Sequence, residues 1–167
     1  MKKLISALCL FLASFSLLAH QPGETFNARA AWVHDGDTLT VTTGHIMERN
    51  LKRWRIRLSD IDAPEKDQDF GREAIQALRD LVLTREVIVY VLEKDPYDRL
   101  VARLYVQRHG EVIDVNHELL RLGLAWVYPQ YLHDHSLHGV EEEAKAAKRG
   151  LWAKSDPVPP WDWRRDR

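Results

Sequence analysis

The sequence predicts an α+β fold, in which a small closed antiparallel β-barrel is combined with helices. Three observations lead to this prediction. Short segments of alternating polar and apolar residues recur from residue 31 onward, turn signals separate them, and helical periodicity appears in three segments. A chain of 167 residues is long enough for one domain with one hydrophobic core. No repeat or linker divides it, so we expect a single folded domain.

The first two predicted strands show strict alternation. Leu39 and Val41 alternate with threonines, and the turn Asp35-Gly36-Asp37 precedes them. After a loop from Gly44 to Asn50, three apolar residues alternate with three arginines: Trp54, Ile56 and Leu58 with Arg53, Arg55 and Arg57. Pro64 ends the second strand, because proline has no backbone N–H to donate to a neighbouring strand.

A helix is expected from about Phe70 to Leu83, since small and apolar residues recur there at helical spacing. Two further strands follow, Val87 to Leu92 and Leu100 to Val106, with a turn between them. The first of these strands is apolar on both faces, so we expect it to be buried on both.

Two more helices complete the domain. One runs from about Val115 to Leu122, with Gly123 as its C-terminal cap. The other begins at Ser136 as N-cap, with acidic residues early and basic residues late, which complements the helix dipole. Residues 154–167 are rich in proline, tryptophan and arginine and predict an extended tail, whose tryptophans offer a means of packing back onto the domain. The element order favours a barrel of the oligonucleotide-binding (OB) type.

The first 19 residues have the composition of a cleavable secretory signal. Two lysines precede an apolar run from Leu4 to Ala19, which is shorter than the ~20 residues that span a bilayer. Leu17 departs from the preferred small residue before the cleavage site, so an uncleaved membrane anchor is the alternative. Cys9, the only cysteine, lies inside this segment, so the mature chain forms no internal disulfide. We therefore expect a secreted or periplasmic protein that leaves the membrane after cleavage.

The net charge of the chain excludes the class of strongly basic proteins that bind nucleic acid tightly without sequence preference. The whole chain has a formal net charge of −1, and loss of two lysines with the signal makes it −3. Tight binding without sequence preference depends on neutralising many phosphates, which requires a basic protein. Any contact with nucleic acid therefore needs a local cluster of arginines.

Two acidic clusters lie at the ends of predicted strands. Asp35-Gly36-Asp37-Thr38 precedes one strand, and the segment from Asp60 to Glu65 follows the next. By strand parity, Asp37 and Asp62 point inward at the barrel rim, where they can meet. Facing carboxylates repel each other unless a cation joins them, and their oxygens suit Ca²⁺ or Mg²⁺.

Each cluster also has a purely structural interpretation. Asp-Gly is a strong turn signal, Asp62 before Pro64 is typical of a loop start, and Glu65 is typical of a first helical turn. Taken singly, each residue fits this interpretation better than a functional one. The combination of clusters favours a site.

Three separated stretches resemble the signature motifs of the staphylococcal nuclease (thermonuclease) family, in the family's order and approximate spacing. They are His34-Asp35-Gly36-Asp37-Thr38, the segment Arg57 to Glu65, and Asp95-Pro96-Tyr97-Asp98-Arg99. Gly123-Leu124-Ala125 and the segment Lys148 to Trp152 also match. Three motifs in order are far more specific than one. The resemblance predicts a thermonuclease-like domain over residues 28–153, between the signal (1–19) and the tail (154–167).

The resemblance implies a five-stranded OB-fold barrel with three α-helices and a site at its rim. One Ca²⁺ would be held by the carboxylates of Asp37 and Asp62 and the backbone carbonyl of Ala63. Glu65 would be the general base, and Arg57 and Arg99 would bind the phosphate. Parity places Arg57 on the face opposite Asp62, so only the resemblance brings it to the site. The implied substrate is DNA, with RNA as a second candidate.

The chain departs from the family pattern at three positions. Asp98 stands where glycine is usual; it tolerates left-handed backbone geometry, and as an acid it can pair with Arg99. Pro96 replaces a frequent basic residue, and Ala63 replaces threonine. The role of Asp60 stays open. We expect a monomeric hydrolase without a stable protein partner; the alternative is a non-catalytic OB-fold module that binds nucleic acid or protein.

Overall fold

A computed structural model of the chain describes residues 20–44 and 50–167. The predicted signal (1–19) and the centre of the loop after Gly44 lie outside these residues. The described residues contain eight strands: β1 (Thr25–Val33), β2 (Thr38–Thr43), β3 (Lys52–Leu58), β4 (Ile61–Asp62), β5 (Glu86–Lys94), β6 (Leu100–Arg108), β7 (Glu111–Asp114) and β8 (Trp126–Val127). The α-helices are α1 (Gly71–Val82), α2 (Val115–Arg121), α3 (Leu137–Ala146) and α4 (Pro160–Arg165).

Five strands form a closed barrel. Their order is β3-β2-β1-β5-β6, all antiparallel, and a parallel pairing of β3 with β6 closes the ring. The predicted OB-type barrel with helices is therefore confirmed, and the short α4 adds to the three expected helices. β7 extends the sheet beyond β6, while β4 and β8 form a separate two-stranded ladder beside the barrel.

Alternation along the strands builds the core. Leu39, Val41, Ile56 and Leu58 are almost completely buried inside the barrel, and the intervening threonines and arginines point outward. α1 covers one end of the barrel with Leu78 and its neighbours.

The prediction that the strand after α1, β5, is buried on both faces is wrong. Alternate valines of β5 are buried, but Ile88 and Tyr90 are each more than one-third exposed. The outer face of β5 is solvent-facing in this barrel, so its apolar residues there reflect β-propensity and not burial.

β1 was largely missed because its inward residues include the small side chains of Ala28 and Ala30. A register shift between Ala30 and Trp32 further interrupts its alternation.

Of the two predicted helix caps, Gly123 is confirmed and Ser136 is not. Gly123 has a left-handed φ of 67°, as predicted for a C-cap, and a Cβ there would lie 2.2 Å from the Arg149 carbonyl oxygen. Ser136 makes no capping hydrogen bond; its hydroxyl donates to Asp134 instead. No helix within residues 20–44 and 50–167 is long and apolar enough to cross a membrane.

The tail packs back onto the domain, partly through one of its tryptophans. The side-chain amide of the buried Gln68 donates to the Val158 carbonyl at 2.6 Å, and Pro160 is buried at the start of α4. The Trp161 ring then stacks on Tyr128 at a centroid distance of 5.4 Å, with an interplanar angle of 5°. These contacts place α4 beside the barrel rim.

Candidate active site

The six residues predicted to form the site line one cleft of about 670 Å³ at the barrel rim: Asp37, Arg57, Asp62, Ala63, Glu65 and Arg99. The cleft also contains Tyr128, Tyr131 and Arg164 from the C-terminal third of the chain.

The turn between β1 and β2 fixes Asp37. Gly36 packs so closely that a Cβ there would lie 2.6 Å from the Ala63 Cβ and 2.8 Å from the Ala74 Cβ. Asp37 Oδ2 accepts a hydrogen bond from the Ala63 backbone N–H at 2.8 Å, and Oδ1 accepts one from the Thr38 hydroxyl. The first acidic cluster is thereby joined to the second.

Arg57 lies between the two carboxylates that the sequence proposed as ligands. It donates to Asp62 Oδ1 at 2.8 Å and forms an ion pair with Asp37 Oδ2 at 3.1 Å. The carbonyls of Leu58 and Ile61 also accept from its guanidinium. Strand parity had placed Arg57 opposite Asp62. The chain turns sharply after β3, at Asp60 with its φ of 64°, and wraps around the guanidinium.

Glu65 lies in the loop before α1, six residues ahead of the first helical residue, Gly71. It is therefore not an acid of the first helical turn. Its backbone N–H donates to the Gln68 side chain, and Gly71 packs against its carbonyl, where a Cβ would come within 1.8 Å of the oxygen. The loop holds the half-buried Glu65 carboxylate at the cleft mouth.

Arg99 is held by an acid other than the expected one. Asp98 adopts the left-handed conformation anticipated for it (φ 64°) and pairs with Lys94. Asp95 accepts from the Arg99 Nε at 2.6 Å and from its backbone N–H at 2.9 Å. Although burial opposes the shift, these hydrogen bonds from Arg99 lower the pKa of Asp95. Arg99 is thus oriented by a carboxylate that stays ionised.

Asp60 holds the segment that contains Tyr128 and Tyr131, on the other side of the cleft, through hydrogen bonds. It is 2% exposed, and its Oδ1 accepts from the backbone N–H groups of His133 and Asp134. Its carbonyl accepts from the Tyr128 N–H at 2.8 Å. The third carboxylate of the cluster therefore positions the loop that carries Tyr128 and Tyr131.

Comparison with known proteins identifies the family. A profile described as staphylococcal nuclease homologue matches residues 55–154. A protein of Escherichia coli O157:H7 described as an uncharacterised endonuclease is 40% identical over 157 residues, covering 94% of each chain. A micrococcal nuclease of Shigella flexneri is 34% identical over 173 residues, covering 99% of this chain and 96% of its own.

The chain belongs to the staphylococcal nuclease family. It is a nuclease, a hydrolase of phosphodiester bonds whose substrate is nucleic acid, and the cleft is its candidate active site. A probable staphylococcal-like nuclease of Oryza sativa subsp. japonica is 40% identical over 116 residues, covering 70% of this chain and 34% of its own.

Two carboxyl groups at this nuclease site have raised pKa values, and a bound cation would favour their ionised forms. Burial and the nearby Asp37 charge raise the pKa of Asp35 to about 7. Burial, followed by the charge of Asp37, raises the pKa of Asp62 to about 6, although Arg164 and Arg57 oppose the shift. In the described part of the chain, no three His, Cys, Asp or Glu side chains form a metal-binding cluster. The residues predicted to hold a hard cation, Asp37, Asp62 and Ala63, all line the cleft.

The nuclease site contains one functional candidate that sequence reasoning missed. Arg164 of α4 donates to Asp62 Oδ2 at 2.7 Å and to Glu65 Oε1 at 2.8 Å, with a longer bond of 3.3 Å to Asp62 Oδ1. Although burial opposes the shift, these carboxylates raise the pKa of Arg164. Its side chain is 41% exposed, against 13% for Arg57, so it borders the open part of the cleft. The tryptophans of the tail indicated docking, but nothing indicated where Arg164 would dock.

Proposed function

We propose that this nuclease is exported and uses one Ca²⁺ to hydrolyse the phosphodiester bonds of DNA, with RNA as a second candidate substrate. The observation that carries the proposal is the bridge made by Arg57 between Asp37 and Asp62, with Glu65 beside them in the same cleft. The residues proposed to bind phosphate and to activate water thus line one cleft.

The carboxylates of Asp37 and Asp62 and the carbonyl of Ala63 would hold the cation. When bound, Ca²⁺ supplies positive charge that stabilises the phosphoryl oxygens as negative charge builds on them. The raised pKa values of Asp35 and Asp62 support this assignment, because burial, reinforced by the charge of Asp37, disfavours their ionised forms and a bound cation would offset that cost.

Glu65 is the proposed general base. Arg164 holds its Oε1, which leaves Oε2 to accept a proton from the attacking water. As that water oxygen bonds to phosphorus, the bond to the leaving oxygen breaks and the leaving oxygen takes up a proton from solvent, to which Glu65 later returns the proton it accepted. Glu65 lies two residues beyond Ala63, close to the proposed ligands without being one of them.

Arg57 and Arg99 are the proposed phosphate ligands. Asp95 occupies the Nε of Arg99, so its two terminal nitrogens remain for the phosphate. Arg57 is bonded to carboxylates and carbonyls at the base of the cleft, where a phosphoryl oxygen can replace one of its carboxylate partners.

Arg164 is a proposed positioning residue. It joins the proposed ligand Asp62 to the proposed base Glu65 through one rigid guanidinium, which fixes the distance between them. Hydrogen bonds of this kind orient metal-ligating carboxylates in many sites. The tail would thus complete the active site.

Export is proposed from the amino-terminal sequence alone. The basic start and short apolar run of residues 1–19 are typical of a cleavable signal. Intact-mass analysis of the extracytoplasmic protein tests this, and a mass that retains residues 1–19 would contradict cleavage.

A digestion assay tests the catalytic proposal. Plasmid DNA and a defined RNA are incubated with the enzyme and Ca²⁺, Mg²⁺ or chelator, using the wild type and Asp62→Ala. Asp80→Ala, an exposed acid of α1, is the matched control. We expect DNA cleavage with Ca²⁺, none with chelator, and loss of activity only in Asp62→Ala. Undiminished cleavage in chelator, or by Asp62→Ala, would overturn the metal assignment.

A further inference from the structure

The outer face of β3 carries arginines that the proposed chemistry does not use. Arg53, Arg55 and Arg57 occupy alternate positions of the strand, so all three lie on the face opposite Ile56 and Leu58. Arg57 enters the active site, whereas Arg53 and Arg55 are exposed. Alternate residues of a strand lie about 6.7 Å apart, so the three guanidiniums form a row that leads away from the cleft.

These cations are available for a ligand. No ion pair within residues 20–44 and 50–167 joins Arg53 or Arg55 to a carboxylate. Across the sheet, they pair in register with Thr42 and Thr40 of β2, which are neutral. His34 bonds to the Thr40 hydroxyl, and burial together with the charge of Arg55 lowers the pKa of His34. The row is therefore a local positive strip on a protein of net charge −1.

The exposed aromatic residue Trp32 lies next to this strip. Trp32 of β1 pairs in register with Thr40, which in turn pairs with Arg55. Trp32 and Arg55 therefore flank one threonine on the same face, and their backbones lie about 10 Å apart at two strand spacings. Trp32 is 60% exposed. An exposed tryptophan alone needs no explanation, but arginines with an adjacent stacking ring match the chemistry of a single nucleic-acid strand.

We propose that Arg53, Arg55 and Trp32 form a track that binds a single nucleic-acid strand outside the active site and guides it toward Arg57. The inference deepens the proposed function and rests on it, because the track ends at the site where cleavage is proposed. The spacing of the arginines is comparable to that of successive phosphates in an extended strand. Base stacking on Trp32 fits a strand whose bases are unpaired.

Two measurements test the track. Binding of a fluorescein-labelled 12-nucleotide oligo(dT) is measured in chelator at several salt concentrations, and cleavage of a trinucleotide is measured with Ca²⁺. The variants are Arg53→Ala/Arg55→Ala and Trp32→Ala. The matched control is Arg72→Ala/Arg108→Ala, which removes two arginines outside the track.

We expect the double arginine variant to bind the 12-mer at least about tenfold more weakly. Its plot of log affinity against log salt should lose about 1.4 units of slope, because each phosphate contact to a single strand contributes about 0.7. Trp32→Ala should lose at least about fivefold in affinity. Trinucleotide cleavage should stay at the wild-type rate in both variants, since so short a substrate reaches only the cleft.

Affinity and salt slope equal to those of the Arg72/Arg108 control would overturn the track. A duplex 12-mer that binds as tightly, with the same losses, would overturn the assignment to single strands. Failure of the wild type to cleave any nucleic acid with Ca²⁺ would instead count against the proposed function, since the binding assay is run without catalysis.

Discussion

The two sides of the cleft differ in how they are built. The motif side consists of two short segments, residues 35–38 and 57–65, joined by short hydrogen bonds such as that from the Ala63 N–H to Asp37. The C-terminal side consists of Tyr128, Tyr131 and Arg164, which reach the cleft through long-range packing. Asp60 and Asp62 on the motif side contact the C-terminal side directly. The motif side holds the residues proposed for the chemistry, and the C-terminal side supplies Arg164, which we propose orients them.

The largest expected effect lies on the motif side. Glu65→Gln keeps the shape of the side chain and removes its basicity. We expect single-turnover cleavage to fall at least ~10²-fold, while Ca²⁺ affinity and oligonucleotide affinity change little. Glu73→Gln, an exposed acid of α1, is the matched control. A Glu65→Gln enzyme that cleaves at the parental rate would remove Glu65 from the mechanism.

A smaller effect is expected on the C-terminal side. Arg164→Ala should lower kcat by about tenfold with little change in KM, because it would disorder Glu65 and Asp62 without removing either. Arg164→Lys should recover only part of the rate, since an ammonium cannot hold both carboxylates in one plane. Arg165→Ala, whose guanidinium pairs with Asp162 outside the cleft, is the control.

The sign of the Arg164 effect is informative. A rise in activity in Arg164→Ala would show that the tail obstructs the site and does not complete it. An unchanged rate would show that the ion pairs of Arg164 only dock the tail.

The site residues of the motif side could be predicted from the sequence, whereas Arg164 on the C-terminal side could not. Asp37, Asp62 and Glu65 lie in short motifs whose residues are close in the chain, so spacing and resemblance were enough to group them. Arg164 lies 99 residues beyond Glu65, and it reaches the site because Gln68, Pro160 and Trp161 dock the tail. No local pattern encodes such packing.

Some local expectations also failed for physical reasons. The partner of Arg99 is Asp95 and not its neighbour Asp98, because the left-handed turn directs Asp98 toward Lys94. The barrel was predictable because alternation requires only local residues. The side-chain pairing within a turn depends on backbone angles that composition does not reveal.

The smallest expected effect is on stability, and it concerns Asp134, whose backbone N–H donates to Asp60. Hydrogen bonds from Ser136 and Arg103 lower the pKa of Asp134 to about 2 from its ordinary value of 3.8. Because the folded-state pKa is depressed, the ionised form stabilises the protein above about pH 4, and that contribution is lost as the pH falls toward 2. About a third of the side chain is exposed, so we expect less than about 1 kcal/mol.

Urea unfolding of Asp134→Asn at pH 6 and pH 2.5 measures this contribution. The variant should be slightly less stable than the wild type at pH 6, and the difference should shrink at pH 2.5. An equal deficit at both pH values would mean that the carboxylate contributes through packing and not through its charge.

We propose that Arg164, on the C-terminal side, acts through Glu65 on the motif side. A double-mutant cycle tests this most directly, using single-turnover cleavage by the wild type, Glu65→Ala, Arg164→Ala and the double variant at saturating Ca²⁺. If Arg164 positions Glu65, its removal should cost much less once Glu65 is absent, so the double variant should cleave nearly as fast as Glu65→Ala. Two losses that multiply fully in the double variant would show that Arg164 acts independently of Glu65, and would contradict the account.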